Sequence, residues 1–215
     1  MILLDRLLDL LYPPRCSFCH KITDGEKLCS ECAAKLPYTS DNSKQTKFSY
    51  ISAAVSPLYY KDSVRDSVIR YKFHSAISYS EVYGQLISKC IDENNINCDI
   101  ITYVPLSKRR RWLRGYNQAE LIAQEISKNT EIPLAELIKK TRNNPAQSGT
   151  GSPDKRKANV KGVYKAVNTE LIKDKRILIV DDVITTGATV SECAKMLKEQ
   201  GSGEIFAASL ARSKE

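Results

Sequence analysis

Hydrophobic and polar positions along this chain change period several times. Leu3, Leu4, Leu7, Leu8 and Leu11 recur at helical spacing and predict an amphipathic helix, which Pro13 and Pro14 stop. A polar stretch from Pro37 to Phe48, rich in Ser, Thr, Asn and Lys, reads as a linker. The apolar run from Ser49 to Tyr60 predicts a strand, and Asp62 is placed to cap a helix reaching Tyr71. The polar face of that helix carries Arg65 and Arg70, with Lys72 just beyond, and reads as solvated. A second helix is predicted from about Ser80 to Asn94, and a buried strand from Asp99 to Val104. Asn117 to Lys128 repeats the helical pattern with Ala119, Leu121, Ile122 and Ile126 inward, and Ala135 to Lys140 is a shorter helical or strand-like piece. Ile177 to Val180 is a β-branched run of the kind found in strands buried on both faces. A helical pattern from Val190 to Gln200 and a last strand from Glu204 to Leu210 follow. Strands alternating with helices predict an α/β fold built on a parallel sheet.

The end of the Ile177 strand carries the most chemistry. Asp181 and Asp182 come at once, followed by the small-residue loop Thr185, Thr186, Gly187, Ala188 and Thr189. Ligands of open parallel sheets bind at the carboxyl ends of strands. A loop of Thr and Gly opening a helix can aim several N–H groups at one anion, with the helix dipole behind them. Carboxylates cannot hold phosphate, but they accept hydrogen bonds from vicinal hydroxyls or reach a hard cation such as Mg²⁺. Phosphate at the loop and a diol at the acids describe a ribose 5-phosphate. A Walker A loop is excluded because no Gly-Lys-Ser/Thr follows, and a dinucleotide fingerprint because a single glycine is present.

Cys16, Cys19, Cys29 and Cys32 are spaced C-x₂-C-x₉-C-x₂-C. Two such knuckles complete a tetrahedral four-thiolate site for structural Zn²⁺. Disulfides compete with this reading, but no signal peptide precedes the cysteines and a cytoplasmic location is expected. His20, beside Cys19, reads as a bystander; Cys90, Cys98 and Cys193 read as core or surface residues. No run is long and apolar enough to predict a membrane span.

Charge adds a second theme. The 215 residues carry 33 Lys and Arg against 25 Asp and Glu, a net charge of +8 that suits polyanionic partners. Five of the seven residues from Lys108 to Arg114 are cations, directly after the predicted strand that ends at Val104. Clustered guanidiniums there suit a pyrophosphate or a nucleic-acid backbone. The irregular stretch from Arg142 to Lys161 reads as a basic flap, with Lys139, Lys140, Lys155, Arg156 and Lys157 in or beside it.

Ile177 to Thr189 resembles the thirteen-residue PRPP motif of type I phosphoribosyltransferases. The whole chain resembles the ComF family, whose ComFC-type members function in natural transformation. That resemblance rests on Leu11 to Cys19, the second cysteine pair, Tyr71-Lys72-Phe73, Val104-Pro105-Leu106, Arg114 to Gln118, Gln147 with Arg156 and Asn159, and the PRPP motif. It implies a phosphoribosyltransferase-like domain over 49–215 behind a module of helix, zinc site and linker over 1–48. It further implies PRPP bound with Mg²⁺ by Asp181, Asp182, Val183 and Thr185 to Thr189, the two acids on the ribose hydroxyls and the loop on the 5-phosphate. Arg109, Arg110 and Arg114 are then the candidates for pyrophosphate. Single-stranded DNA is expected on Lys108, Arg109, Arg110, Arg111, Trp112, Arg114 and Tyr116, with the aromatic rings stacking. Partners implied by the family are a DNA-uptake helicase or other competence proteins. The competing expectation is an active phosphoribosyltransferase with a nitrogen acceptor.

Overall fold

Residues 13–39, 44–45, 48–74, 76–141 and 162–214 are described by a computed structural model. The predicted N-terminal helix, half of the linker and the basic flap, with Gln147, Arg156 and Asn159, lie outside them.

Ser30–Lys35 forms the short helix α1 inside the cysteine module. The chain continues through β1 (Lys44–Gln45), β2 (Ala53–Val55), β3 (Leu58–Tyr59), α2 (Asp62–Phe73), α3 (Tyr79–Glu93) and β4 (Ile100–Tyr103). Then come α4 (Lys108–Arg114), α5 (Gln118–Thr130), β5 (Ile138–Lys140), β6 (Tyr164–Ala166), β7 (Ile177–Ile184), α6 (Ala188–Lys198) and β8 (Ile205–Arg212). The sheet runs β1-β2-β8-β7-β4 with β3 alongside β8, parallel except for β1. Ile177 to Val180 are fully buried, as expected for a central strand covered on both faces. Helices α3 and α5 cover one face, and α6 covers the other. A Cβ on Gly84 of α3 would meet the Glu125 Cβ of α5 at 2.4 Å, so only glycine lets these two helices approach this closely.

Several elements differ from their sequence pattern. The run from Ser49 to Tyr60 is broken by Pro57 into β2 and β3, since proline cannot donate to a central ladder. Of the helical and strand-like alternatives for Ala135 to Lys140 the structure takes the strand, over Ile138–Lys140 (β5), paired antiparallel with β6. The basic run from Lys108 to Arg114 is the helix α4. Strand β7 does not end at Val180; it continues to Ile184 because β8 runs on beside it, pairing Asp181 with Ser209 and Ile184 with Arg212. The three remaining cysteines, Cys90, Cys98 and Cys193, are all buried. Among the described residues no helix is long and apolar enough to cross a membrane.

Connectivity places the crevice. After β4 the chain passes through α5 and returns beside the far edge of β4, where Leu134 bridges Ile101 in parallel. It then crosses back to form β7 on the other edge of β4. The order of strands therefore reverses between β4 and β7, and their carboxyl ends flank the crevice where open α/β sheets bind ligands. Strand β4 stops at Tyr103 and Val104 N–H makes a last bond to the Val180 carbonyl at 2.9 Å. Residues 181–184 thus extend past the end of β4.

Candidate functional site

Side chains alternate across a strand, so Asp181 and Val183 lie on one side of β7 and Asp182 on the other. The loop Thr185 to Thr189 turns at Gly187, whose φ of 71° is left-handed, and opens into α6. The Phe48 ring lies against this glycine. Ala188 N–H donates to the Thr186 hydroxyl at 3.4 Å, while the other N–H groups of the first helical turn have no intrahelical acceptor. Asp181, Val183 and the residues up to Val190 line an open recess. A positive helix terminus, threonine hydroxyls and amides without intrahelical acceptors are the chemistry that suits an anion.

Asp182 is engaged from the opposite side. Lys72, at the end of α2, donates to its Oδ1 at 2.6 Å, and both side chains are mostly buried, 23% and 12% exposed. Around this pair Tyr71 donates to the Gln118 carbonyl at 2.9 Å, and Tyr116 donates to the Tyr71 carbonyl. Arg114 donates to Gln118 Oε1 at 2.7 Å and sits over the Phe73 ring, 4.9 Å from its centroid. Burial, then the neighbouring Asp182 charge, pushes the Asp181 carboxyl up to about 7 against the opposing pull of Lys72, the Asp182 N–H and Lys140. Burial and then the Asp182 charge also hold the Tyr71 phenol far above its ordinary value. Lys140, 5.3 Å from the Tyr164 centroid, is pushed down by burial and by Arg110 while the Asp181 charge works against both.

Helix α4 sorts the predicted cations by face. Ser107 caps it by accepting the Arg110 N–H, and Gly115 ends it in the left-handed conformation. Arg110 and Arg114, one turn apart, are half-buried, and Lys108, Arg109, Trp112 and Leu113 are exposed. Trp112 is 82% exposed. Arg111 is exposed too and pairs with Glu120 at 3.2 Å. Tyr116 is packed on Tyr71, with ring centroids 6.0 Å apart. The run is thus divided between a half-buried pair, of which Arg114 feels the Asp182 charge, and an outer, solvent-facing set.

Lys72 is the site residue that the sequence pattern assigned to solvent. Its partner lies 110 residues away, so no local periodicity could reveal it; the nearest signal is its place in Tyr71-Lys72-Phe73.

The four predicted zinc ligands converge. Their Sγ atoms all lie within 4.8 Å of one another, and Cys19 and Cys29 are 3.8 Å apart. A tetrahedron with Zn–S near 2.3 Å has edges of about 3.8 Å, so the donor set fits the ion. Amides of Cys29 and Cys32 point at the sulfurs of Cys16 and Cys29. Burial pushes the Cys16 thiol up, but the N–H groups of Cys29, Cys19 and Phe18 outweigh it and bring it down to about 6. All four cysteines are free of disulfides. His20 is not one of the four; its Nδ1 lies 2.9 Å from the Tyr79 hydroxyl. The knuckle is fastened to α2 and α3 by that contact, by Ser67 donating to the Ser17 carbonyl, by Arg70 donating to the Phe18 carbonyl and by the Lys27–Glu81 pair.

Comparison with known proteins agrees with both halves of this architecture. Residues 114–215 match the phosphoribosyl transferase domain family, and residues 7–43 match the double zinc ribbon domain family. The chain is 29% identical over 208 residues to Competence protein F of Haemophilus influenzae, covering 92% of this chain and 90% of that protein. It is 37% identical over 109 residues to DNA utilization protein YhgH of Escherichia coli, covering 50% of this chain and 46% of that one. Competence protein ComFC of Bacillus subtilis is 27% identical over 146 residues, with 66% and 56% covered. The chain thus spans about half the length of the last two relatives and nearly all of the first. The ribbon match and the four-thiolate geometry support a structural zinc.

Proposed function

We propose that this chain, which is similar over nearly its whole length to Competence protein F and resembles the ComF family, binds Mg²⁺-PRPP in the β4–β7 crevice and single-stranded DNA on α4. It acts in the cytoplasm on DNA taken up during natural transformation. The observation that carries the ligand is the Thr185 to Thr189 loop opening α6 beside Asp181 at the reversal of strand order. The loop takes the 5-phosphate, the acids take the ribose hydroxyls, and Arg110 and Arg114 face the pyrophosphate. Mg²⁺, when bound, would neutralise the pyrophosphate; among the described residues Asp182 is the acid paired with a lysine, and Asp181 makes no such ion pair and suits a hard cation. DNA falls to the outer face of α4, where Lys108, Arg109 and Arg111 meet phosphates and Trp112 stacks on a base.

Calorimetric titration of Mg²⁺-PRPP into the zinc-loaded protein tests the pocket. Saturable binding that Asp182→Asn weakens is expected; no binding by a well-folded protein removes the ligand. For DNA, each arginine on phosphate contributes about 0.7 to the slope of log affinity against log salt. Replacing Arg109 and Arg111 by Ala should therefore flatten the slope by about 1.4, and an unchanged slope would remove α4 from the interface.

The half-buried Arg110 and Arg114 favour a second reading, phosphoribosyl transfer. In it the C1–O bond to pyrophosphate breaks, a C1–N bond forms and the acceptor nitrogen gives up its proton to water. The arginines stabilise the charge growing on the leaving group. Pyrophosphate release that needs both aspartates and an added acceptor would establish it.

A further inference from the structure

Phe73 has no part in the recess or the zinc module. Helix α2 buries Val64, Ser67, Val68 and Tyr71 at spacings of three and four, and Phe73 falls outside that stripe at the last position of the helix. It is 65% exposed. A single exposed apolar residue is ordinary; what sets this one apart is the cation on its ring. Arg114 Cζ lies 4.9 Å from the Phe73 centroid, and the same guanidinium donates to Oε1 of the buried Gln118 at 2.7 Å. The amide anchors the guanidinium against one face of the ring, and the rest of the ring meets solvent. Trp112 and Leu113, which directly precede Arg114 on α4, are exposed as well. Tyr116, the second ring expected to stack, instead packs on Tyr71 and donates its hydroxyl to the Tyr71 carbonyl.

We propose that Phe73 is a stacking platform for a base of single-stranded DNA, so that the strand interface runs from α4 across Arg114 to the end of α2. The inference rests on the DNA reading above and extends it to a residue of a second helix. An aromatic face accepts any unstacked base, and a guanidinium beside it supplies charge for the adjoining phosphate. Helix α4 carries five cations and no carboxylate. Exposed rings set among cations match a polyanion with free bases better than the apolar face of a partner helix. Duplex DNA keeps its base faces inside its own stack and gains nothing from Phe73.

Fluorescence anisotropy of a labelled thymidine oligomer, followed over a range of salt concentrations with the full-length, zinc-loaded protein, tests the platform. Phe73→Leu should weaken binding by about fivefold or more, the value of one base–aromatic stack. It should leave the slope of log affinity against log salt unchanged, because a stack releases no counterion. Phe73→Tyr restores the ring and should bind within about twofold of wild type. An oligomer with abasic sites in place of bases should not distinguish Phe73→Leu from wild type. If Phe73→Leu does not fold, Phe73→Val replaces it, with zinc content and the tyrosine near-UV signal as checks. Equal binding of the thymidine oligomer by Phe73→Leu and wild type overturns the proposal and leaves the α4 interface standing. A loss that comes with a slope flattened by about 0.7 also overturns it, because Phe73 would then only place Arg114 on a phosphate. Wild type that binds no oligomer overturns the DNA reading of α4 itself, and the platform with it.

Discussion

Gly187 is where loop geometry and packing can be tested with one methyl group. Its φ of 71° is left-handed, which disfavours an L side chain by about 1–2 kcal/mol. A Cβ built there would lie 2.1 Å from Cδ1 of Phe48, a ring that is itself buried. Overpacking of this kind costs about 1–3 kcal/mol, and the stiffer unfolded chain of an Ala variant offsets about 0.4–1 kcal/mol. Gly187→Ala should therefore destabilise by about 2–4 kcal/mol, or about 5–15 °C in melting temperature for a chain of this size. Guanidinium unfolding of the single variants and of Phe48→Ala/Gly187→Ala separates the two causes. Phe48→Ala alone should cost about 3–5 kcal/mol as a buried aromatic truncation. In the double variant the added methyl enters the vacated space, so the costs should fall short of additive by about 1–3 kcal/mol, while the backbone strain persists. Additivity within about 0.5 kcal/mol would show that Phe48 does not lie on the loop. An Ala variant as stable as wild type would refute the left-handed turn and the ring contact together.

Asp181 makes stability fall with pH. Its carboxyl is pushed up to about 7, so between about pH 4 and 7 the folded chain keeps a proton that the unfolded chain releases. The stabilisation is complete below the unfolded value and is lost as pH rises through the folded one. Asp181→Asn should flatten that decline in urea melts across the window; an equal decline in the variant would exclude this carboxyl as its source. Zinc removal by a strong chelator should lower the melting temperature and alter the near-UV signal of Tyr79 and Tyr83, against which the knuckle docks. Retention of both after complete zinc loss would make the four-thiolate cluster dispensable to that dock.

Local features carried much of this structure in the sequence. Helices α3 and α5 and strands β4, β7 and β8 were legible to within a few residues, because each buries one face or both and its period follows. The cysteine knuckles were legible because tetrahedral thiolate chemistry restricts their spacing. The basic run was visible as charge, but its division into Arg110 and Arg114 inside and Arg109 and Trp112 outside follows from the helix capped by Ser107 and Gly115. The extension of β7 through the acids was hidden, since charged residues at the end of an apolar run read as a loop. Only the partner strand β8 keeps them extended.

By itself, then, the sequence determined an α/β chain with an anion loop behind an acidic pair, a four-thiolate module and a basic segment after β4. Each is encoded by neighbours within a turn or a knuckle. Tertiary structure alone decided which side of β7 each aspartate serves, that Lys72 completes Asp182, and that Phe48 covers Gly187. These pairings join residues more than a hundred positions apart, and they are set by how the helices and the N-terminal segment close over the sheet, which no local period records.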